Sequence, residues 1–391
     1  MSAVLLPSGH SPAFLPPAGP VRRHPRSPWI RRPQSFYDRF EDRAIVYDCF
    51  WHDDGERILL VGPPPLGLGM QAARYEAFPS GVRLQARLHV SASVAITELT
   101  GAPAGTLSIK LMLGENDFTL PVGENLSPQL AGRRIVFTMS QDNDLAWIAE
   151  WARYHVRVQQ ADTVIVFDNA SKRYRPQDIE NALLPIPGLR FAAVQSWPYR
   201  YGSPDRAILS NPYYTLFLQI GAMSVVLRRY GARAYGILNC DIDELVATPA
   251  NTSVFDRAHA SRSGLLVMRG RFIEPVPLPG SPSVGLTHRH YGFRCKDPSR
   301  SLSRQKKWAI DPTRRWFADL GVHPYMHWIH GRPLFSKTQP DDVFYRHFRA
   351  IHNGWKDKRA EAGSIDPDRL TLDRDFTDLY TAGEAVEAFS P

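Results

Sequence analysis

The chain has 391 residues, of which 43% are hydrophobic and 22% charged, so it is long enough for two or three compact units and is not mainly disordered or fibrous. Its formal net charge of +8 comes mostly from Arg scattered along the sequence. It contains no Lys/Arg block of the kind that follows a nucleic-acid backbone. We therefore expect a generally basic surface and no nucleic-acid partner.

The cysteines and the apolar runs indicate in which cellular compartment the protein is found. Three cysteines lie far apart with no CxxC pair, which argues against a disulfide framework and fits a reducing compartment. No apolar stretch reaches the roughly 20 residues that cross a bilayer. The N-terminus also lacks the basic and then apolar pattern of a signal peptide. We expect a cytoplasmic protein without a transmembrane segment, and attachment to a membrane surface stays open.

The first 132 residues fall into two parts. Residues 1–40 are rich in Pro, Ser and Arg, which predicts a disordered arm because such a segment buries little apolar surface. Residues 41–132 contain short extended runs separated by turns, which predicts a small all-β, sandwich-like accessory domain. The predicted strands are Ala44–Phe50, Arg57–Val61, Val82–Val90 and Leu107–Leu113.

From residue 133 to residue 363 strands alternate with helices. The predicted strands are Arg134–Met139, Thr163–Phe167, Leu189–Val194, Ala234–Asn239 and Leu265–Met268, and the predicted helices are Leu145–Val158, Pro176–Leu184 and Asn211–Tyr230. This order predicts an α/β domain with a mainly parallel sheet covered on both faces. Residues 364–391 are acidic and are predicted to be a poorly ordered tail or a short helix docked on the basic body.

Two carboxylates follow predicted strands directly. Ligands bind beyond the carboxyl ends of strands in such sheets, and Asp168 and Asp241 both occupy that position. Asp241/Asp243 is one of four Asp-x-Asp pairs, but it is the one that follows a buried strand. Such a pair repels itself unless a cation intervenes, and its oxygens suit Mg²⁺ or Mn²⁺. The alternatives are a polar connection capped by Asp241 and an ordinary turn at Asp168.

An ordered set of motifs between Arg134 and Lys358 resembles glycosyltransferases of the GT-A fold, namely the family 92-like group and bacterial family 2-like enzymes. The segments that carry the resemblance are Met139–Asp144 with Glu150-Trp151 and Tyr154-His155, Phe167–Ser171, Cys240–Leu245, Lys306–Ile310, Gly321–His323 and Tyr345–Phe348. Leu245 stands where the group has Phe, and Phe348 stands where it has Tyr.

The resemblance implies a Rossmann-like GT-A domain that transfers a hexose-type sugar with inversion. The donor would be a nucleotide-sugar, usually a UDP-sugar, the acceptor a glycan, and the cofactor Mn²⁺ or Mg²⁺. The residues it assigns to the donor are Asn143, Asp168, Asp241 and Lys307. The residues it assigns to the metal are Asp241, Asp243 and His347, with His323 as the alternative to His347.

The acceptor side is less defined by the sequence. Glu274 is the candidate catalytic base, with Asp297 as a second candidate, and the chain departs from the group after the fifth strand. One alternative function is a non-catalytic carbohydrate-binding protein on a transferase scaffold. Another is a nucleotidyltransferase, which would normally carry a Gly-rich, basic loop where this chain has Gln141-Asp142-Asn143. The aromatic residues of the β-rich part are candidates for stacking on sugar rings or for its core, namely Phe50, Trp51, Tyr75 and Phe78.

Overall fold

The structure is a computed structural model that describes residues 3–249, 251–333, 340–353 and 367–387. The strands of its first third are β1 (Val4–Leu5), β2 (Ala13–Phe14), β3 (Ala44–Val46), β4 (Asp48–Trp51), β5 (Ile58–Gly62), β6 (Arg74–Phe78), β7 (Val82–Arg83), β8 (Gln85–Val90), β9 (Ala95–Thr100), β10 (Ser108–Leu113) and β11 (Asn116–Pro121).

The later strands are β12 (Arg134–Ser140), β13 (Thr163–Asp168), β14 (Phe191–Ser196), β15 (Gly236–Asn239), β16 (Glu244–Ala247), β17 (Leu265–Ile273), β18 (Phe293–Cys295), β19 (Leu302–Ile310), β20 (His323–Pro324), β21 (Ile329–His330), β22 (Phe344–Phe348) and β23 (Leu370–Leu372). The α-helices are α1 (Gln34–Tyr37), α2 (Leu145–Gln159), α3 (Pro176–Leu183), α4 (Phe217–Val225), α5 (Val254–Ala260), α6 (Pro298–Ser301) and α7 (Arg374–Glu387).

A nine-stranded sheet forms the centre of the molecule, in the order β1-β14-β13-β12-β15-β19-β17-β22-β16. Five of its eight adjacent pairs are parallel, and β15/β19, β19/β17 and β22/β16 are antiparallel. The expectation of an α/β fold with a mainly parallel sheet is therefore confirmed. The carboxyl ends of β12, β13 and β15 lie side by side at one edge of this sheet.

Alternating side chains of the central strands enter two different cores. In β12, Ile135 and Phe137 belong to a core that contains α4, whereas Val136 belongs to a second core with residues of α2, α3, α5 and α7. Successive side chains of a strand point to opposite faces, so these helices cover both faces of the sheet. Such two-sided burial explains why the central strands are continuous apolar runs in the sequence.

The β-rich region consists of two four-stranded antiparallel sheets, β11-β10-β6-β7 and β4-β5-β9-β8. The second sheet packs on the α/β part, because Phe50 and Leu59 share a core with Phe137 and Phe217. Its attachment also includes a buried ion pair of 2.8 Å between Asp48 Oδ2 and Arg229. Whether the region is a separate sandwich-like domain stays a prediction.

The described part of the first 40 residues differs from the predicted flexible arm. Strand β1 adds to the edge of the central sheet beside β14, and β2 pairs with β3. Arg23 is fully buried and donates hydrogen bonds to three backbone carbonyls, those of Pro64, Glu41 and Ala44. Sparse apolar residues and the buried guanidinium groups of Arg23 and Arg32 hold the segment, although its Pro-rich composition is typical of disorder.

The described part of the acidic tail is also packed on the body. Strand β23 pairs with β18, and α7 follows it. Asp373 accepts two hydrogen bonds from Arg346 in a buried ion pair, and Phe376 and Tyr380 enter the core beside α2. Of the two predicted alternatives, the docked helix is the observed one. Among the described residues, no helix has the length and apolar character needed to cross a membrane.

Candidate functional site

A cleft of about 690 Å³, including its open mouth, lies at the carboxyl ends of β12, β13 and β15. Its lining is mainly polar and comes from six parts of the chain. The lining residues are Met139, Ser140, Gln141, Asn143, Asn169, Tyr201, Gln219, Asp241, Ile242, Asp243, Ile351, His352 and Asn353. The cleft therefore lies where a parallel sheet is expected to bind its ligand.

The acidic segment forms a tight turn between β15 and β16. The backbone N–H of Glu244 donates to the Asp241 carbonyl, and the Asp241 N–H donates to Glu244 Oε2, each over 3.0 Å. Ile242 is buried in the core and anchors the turn from below. Carboxylate oxygens of Asp241, Asp243 and Glu244 consequently lie within 4.8 Å of one another. Three carboxylates this close repel each other unless cations are present.

Lys307 supplies one of those cations. Its ammonium lies 2.7 Å from Asp241 Oδ2 and 3.0 Å from Glu244 Oε2. Burial lowers its pKa, but Asp241 and Glu244 more than offset this effect and hold the pKa well above its usual value. The Lys307 side chain is 5% exposed and that of Asp241 is 43% exposed. Lys307 therefore lies behind the carboxylates, and the predicted direct contact with the donor gains no support from its position.

Glu244 is the most buried member of the cluster. Burial raises the pKa of its carboxyl to about 7, and Lys307 acts in the opposite direction. Its Oε1 atom is buried and accepts no hydrogen bond from the residues that the structure describes. His347 Nδ1 lies 4.0 Å from that oxygen.

His347 reaches the cluster through the pairing of β16 with β22. Glu244 is opposite His347 in this antiparallel pair, and the Phe348 N–H donates to the Asp243 carbonyl over 2.8 Å. His347 Nε2 thereby lies 3.1 Å from Asp243 Oδ2. The alternative ligand, His323, lies in β20 near Arg228, and burial first and this cation second lower its pKa to about 4. Of the two histidines, His347 is the one beside the carboxylates.

The predicted donor residues lie at different depths. Asn143 lines the cleft and donates to Ser140 Oγ over 2.9 Å. Asp168 is buried beside it, where its carboxylate accepts hydrogen bonds from the hydroxyl and the backbone of Ser171. Burial raises the pKa of Asp168. The neighbouring Asn169, which follows β13, is also buried and lines the cleft.

The candidate bases lie apart from the lining. Glu274 is buried just beyond β17, and its Oε2 accepts a hydrogen bond of 3.1 Å from Arg349. Asp297 caps the short helix α6 by accepting from the Ser299 N–H. Neither is among the described residues that line the cleft. Glu274 as the base stays a prediction from the sequence.

His288 is a contributor that the sequence analysis missed. Its Nε2 lies 2.7 Å from the carbonyl oxygen of Ile242, between the two aspartates of the turn. Burial lowers the pKa of His288 to about 4, so the imidazole is neutral at pH 7. Its Nε2–H group donates a hydrogen bond to that carbonyl. His288 thus fixes the backbone of the acidic turn. A single His in a long loop carries no periodic signal by which its position could have been foreseen.

The turn that carries His288 is itself clamped. Arg289 donates to both carboxylate oxygens of Glu150 in α2, over 3.0 and 3.1 Å. Tyr380 of α7 donates to Glu150 Oε1 over 2.8 Å. The Trp147 indole donates to the Leu286 carbonyl over 2.8 Å. Helices α2 and α7 therefore hold the segment that supports the acidic turn.

Comparisons with known proteins add little to this geometry. No protein-family model matches the sequence. No curated protein matches it either. Among solved structures, a nucleoside-diphosphate-sugar pyrophosphorylase from Vibrio cholerae is 11% identical and covers 63% of this chain and 99% of its own, with a TM-score of 0.22. A likeness at that score carries no argument about fold or function.

Proposed function

We propose that this protein is a metal-dependent glycosyltransferase that moves a sugar from a nucleotide-sugar, a UDP-sugar in the first instance, to a glycan acceptor by inversion. One observation carries the proposal. The carboxylates of Asp241, Asp243 and Glu244 lie within 4.8 Å of one another just beyond a buried strand, and Asp241 and Asp243 line a polar cleft. The ordered motifs that resemble the GT-A glycosyltransferases run through the same strand ends.

The side chains at the cluster fit a divalent cation. Asp241 and Asp243 offer oxygens on the cleft side, and His347 offers an imidazole nitrogen beside Asp243. Hard oxygen ligands with one imidazole suit Mn²⁺ or Mg²⁺. Once bound, such an ion supplies positive charge against the diphosphate leaving group.

The remaining groups have separate tasks in this proposal. Lys307 and Glu244 orient Asp241 from behind, because both hydrogen-bond or ion-pair with it and both are buried. Asn143 and Asn353 line the cleft and offer amides for the ribose and the base of the donor. Polar groups at fixed positions in a pocket orient its ligand.

The experiment is a thermal-shift panel of UDP-, GDP- and CMP-sugars with and without Mn²⁺. We expect UDP-sugars to stabilise the protein only when Mn²⁺ is present, because the ion joins the diphosphate to the carboxylates. Asp243→Ala should abolish that shift. Asp117→Ala is the matched control, since Asp117 is an exposed carboxylate on β11 that pairs with Lys110. An Asp243→Ala protein that responds like the wild type would rule out the metal assignment.

Turnover separates the enzyme from a carbohydrate-binding protein on the same scaffold. We expect UDP release that depends on Mn²⁺ and increases with an oligosaccharide acceptor. Donor binding without release or transfer from any donor would favour the binding protein. Transfer that persists in Glu274→Gln would remove Glu274 as the base.

A further inference from the structure

A β-hairpin is hydrogen-bonded to the end of β15 and to its neighbour β19, whereas β12 pairs with the opposite edge of β15. Strands β20 and β21 pair antiparallel, and the Tyr325 N–H closes the tip by donating to the Trp328 carbonyl over 2.8 Å. The tip is the four-residue segment Tyr325-Met326-His327-Trp328.

Three hydrogen bonds fix the tip beside the acidic cluster. The Asn239 amide, at the end of β15, donates to the Met326 carbonyl over 3.3 Å. The Trp308 indole donates to the Tyr325 carbonyl over 2.8 Å. His327 Nδ1 lies 2.8 Å from the carbonyl of Lys306, the residue before the buried lysine of the cluster. The tip is thus attached to the end of β15 and to the interior of β19, whereas Asn143 and Asn169 follow β12 and β13.

The hairpin carries an aromatic platform formed by the exposed residues Trp328 and His330, with the buried ring of Tyr325 stacked behind Trp328. The rings of Tyr325 and Trp328 are stacked, with centroids 5.7 Å apart and an interplanar angle of 20°. The Trp328 indole N–H donates to His330 Nε2 over 3.0 Å, and the Tyr325 hydroxyl donates to Asn211 Oδ1 over 3.2 Å. Trp328 is nevertheless 41% exposed. A large ring is therefore held in one orientation with much of its surface open.

That combination suits a sugar ring. A pyranose presents C–H groups on one face, and these carry slight positive charge that an aromatic face with its negative quadrupole attracts. Because Trp328 is already immobilised by stacking and by a hydrogen bond, binding a ring to it costs little side-chain entropy. Isolated exposed aromatics need no explanation, but Trp328 is braced on two sides and belongs to a tip whose Met326 and His327 bind next to the cluster.

We propose that the platform of Trp328 and His330, backed by Tyr325, binds a pyranose ring of the glycan acceptor. That the bound glycan is an acceptor rests on the proposed function. Binding of a glycan to the platform does not depend on sugar transfer. The acidic cluster then separates two subsites, with the donor on the side of β12 and β13 and the acceptor on the side of β19. His327, which precedes Trp328 in the tip, lies close enough to Lys307 for that cation to lower the pKa of its imidazole in addition to burial.

The test is binding of neutral glycans to the full chain without any nucleotide-sugar. The probes are tetrasaccharides of glucose, galactose, mannose and N-acetylglucosamine in α- and β-linkage, printed as an array and then titrated in solution. We expect at least one of them to bind the wild type. Trp328→Ala should weaken that binding about tenfold or more, and Trp328→Phe should keep most of it because a ring face remains.

Phe78→Ala is the matched control. Phe78 is an exposed aromatic of β6 in the other part of the molecule, and the sequence analysis named it as a candidate for sugar stacking. Loss of binding in Phe78→Ala together with full binding in Trp328→Ala would overturn the platform, and so would a wild type that binds none of the probes. Circular dichroism and thermal unfolding establish that each variant is folded.

Donor binding tells the two proposals apart. A UDP-sugar shift in the presence of Mn²⁺ that is unchanged in Trp328→Ala, with glycan binding reduced, supports both. If glycans bind at Trp328 and no donor binds, the result supports the platform and contradicts the transferase. If the donor binds and Trp328→Ala leaves glycan binding unchanged, the result supports the transferase and contradicts the platform.

Discussion

At the scale of single residues, the chemistry of the cluster depends on Lys307. A buried ammonium between two carboxylates has lost its hydration, and the ion pairs to Asp241 and Glu244 compensate for that loss. Removing one partner leaves an uncompensated buried charge, which costs more than the intact pair contributes. The cluster is therefore sensitive to which partner is removed.

This sensitivity gives a prediction for Lys307→Met. We expect it to lower the free energy of unfolding by about 3–5 kcal/mol, because Glu244 loses its cation in a buried position. Adding Glu244→Gln should recover a large part of that loss. Urea denaturation of the two single variants and the double variant measures the coupling. Equal stability of Lys307→Met and the wild type would contradict the buried-pair description.

His288 acts on the same cluster through the backbone. We expect His288→Leu to weaken Mn²⁺ binding by about tenfold or more, because residues behind metal ligands commonly have effects of this size. His288→Gln should recover part of the affinity, since its amide N–H reaches toward the Ile242 carbonyl. Calorimetric titration with Mn²⁺ measures both. If His288→Leu, once shown to be folded, binds Mn²⁺ like the wild type, the turn does not need this hydrogen bond.

The sequence predicted some of these residues and not others for physical reasons. Asp241 and Asp243 follow a buried apolar strand directly, so local pattern alone places them at a sheet edge. The position of His347 next to Asp243 depends on the register of β22 on β16, two strands about 100 residues apart in the chain. His347 was predicted as a metal ligand from the family resemblance, because the local sequence does not determine how two distant strands align.

At the scale of elements, the best-predicted segments were those with strong apolar periodicity. The helix expected at Leu145–Val158 is α2 at Leu145–Gln159, and the strand at Thr163–Phe167 is β13 at Thr163–Asp168. The long helix expected from Asn211 begins only at Phe217 and continues as a π-helical turn, Val226–Tyr230. Residues 211–216 make tertiary hydrogen bonds instead, among them that of Asn211 with Tyr325.

Helix α7 of the acidic tail supports the segment that carries His288. Its Tyr380 donates to Glu150, which also binds Arg289 beside His288. We expect Tyr380→Phe to lower the free energy of unfolding by about 1.5–3 kcal/mol, because a buried carboxylate loses one donor. Urea denaturation measures this change.

Tyr235→Phe is the matched control for Tyr380→Phe. The Tyr235 hydroxyl donates to Asp256 over 3.0 Å at a partly exposed position, so its loss should cost less than about 1 kcal/mol. Equal effects of the two substitutions would mean that α7 contributes nothing special through this bond.

At the scale of the whole molecule, a histidine buried in one of the two cores makes the free energy of unfolding depend on pH. His155 of α2 is fully buried in the second core, and burial lowers its pKa to about 3. The unfolded state binds a proton at this residue below about pH 6.5, and the folded state does so only near pH 3. Stability is therefore lost as the pH falls below about 6.5.

We expect His155 alone to remove about 2 kcal/mol of stability between about pH 7.5 and about pH 5. In His155→Phe this part of the loss should disappear, whatever the effect of the substitution on stability at neutral pH. Urea denaturation at both pH values gives the difference. The same pH-dependent loss in the variant and the wild type would show that His155 titrates normally in the folded protein.

The central claim is that the acidic turn holds a divalent ion together with a nucleotide diphosphate. Electron paramagnetic resonance of free Mn²⁺ tests it directly, because the signal of the free ion falls as the protein binds it. We predict binding by the wild type and by Asp117→Asn, an affinity that UDP raises by about fivefold or more, and loss of binding in Asp243→Asn. Equal Mn²⁺ binding by the wild type and Asp243→Asn, or no binding by the wild type with UDP present, would contradict the account.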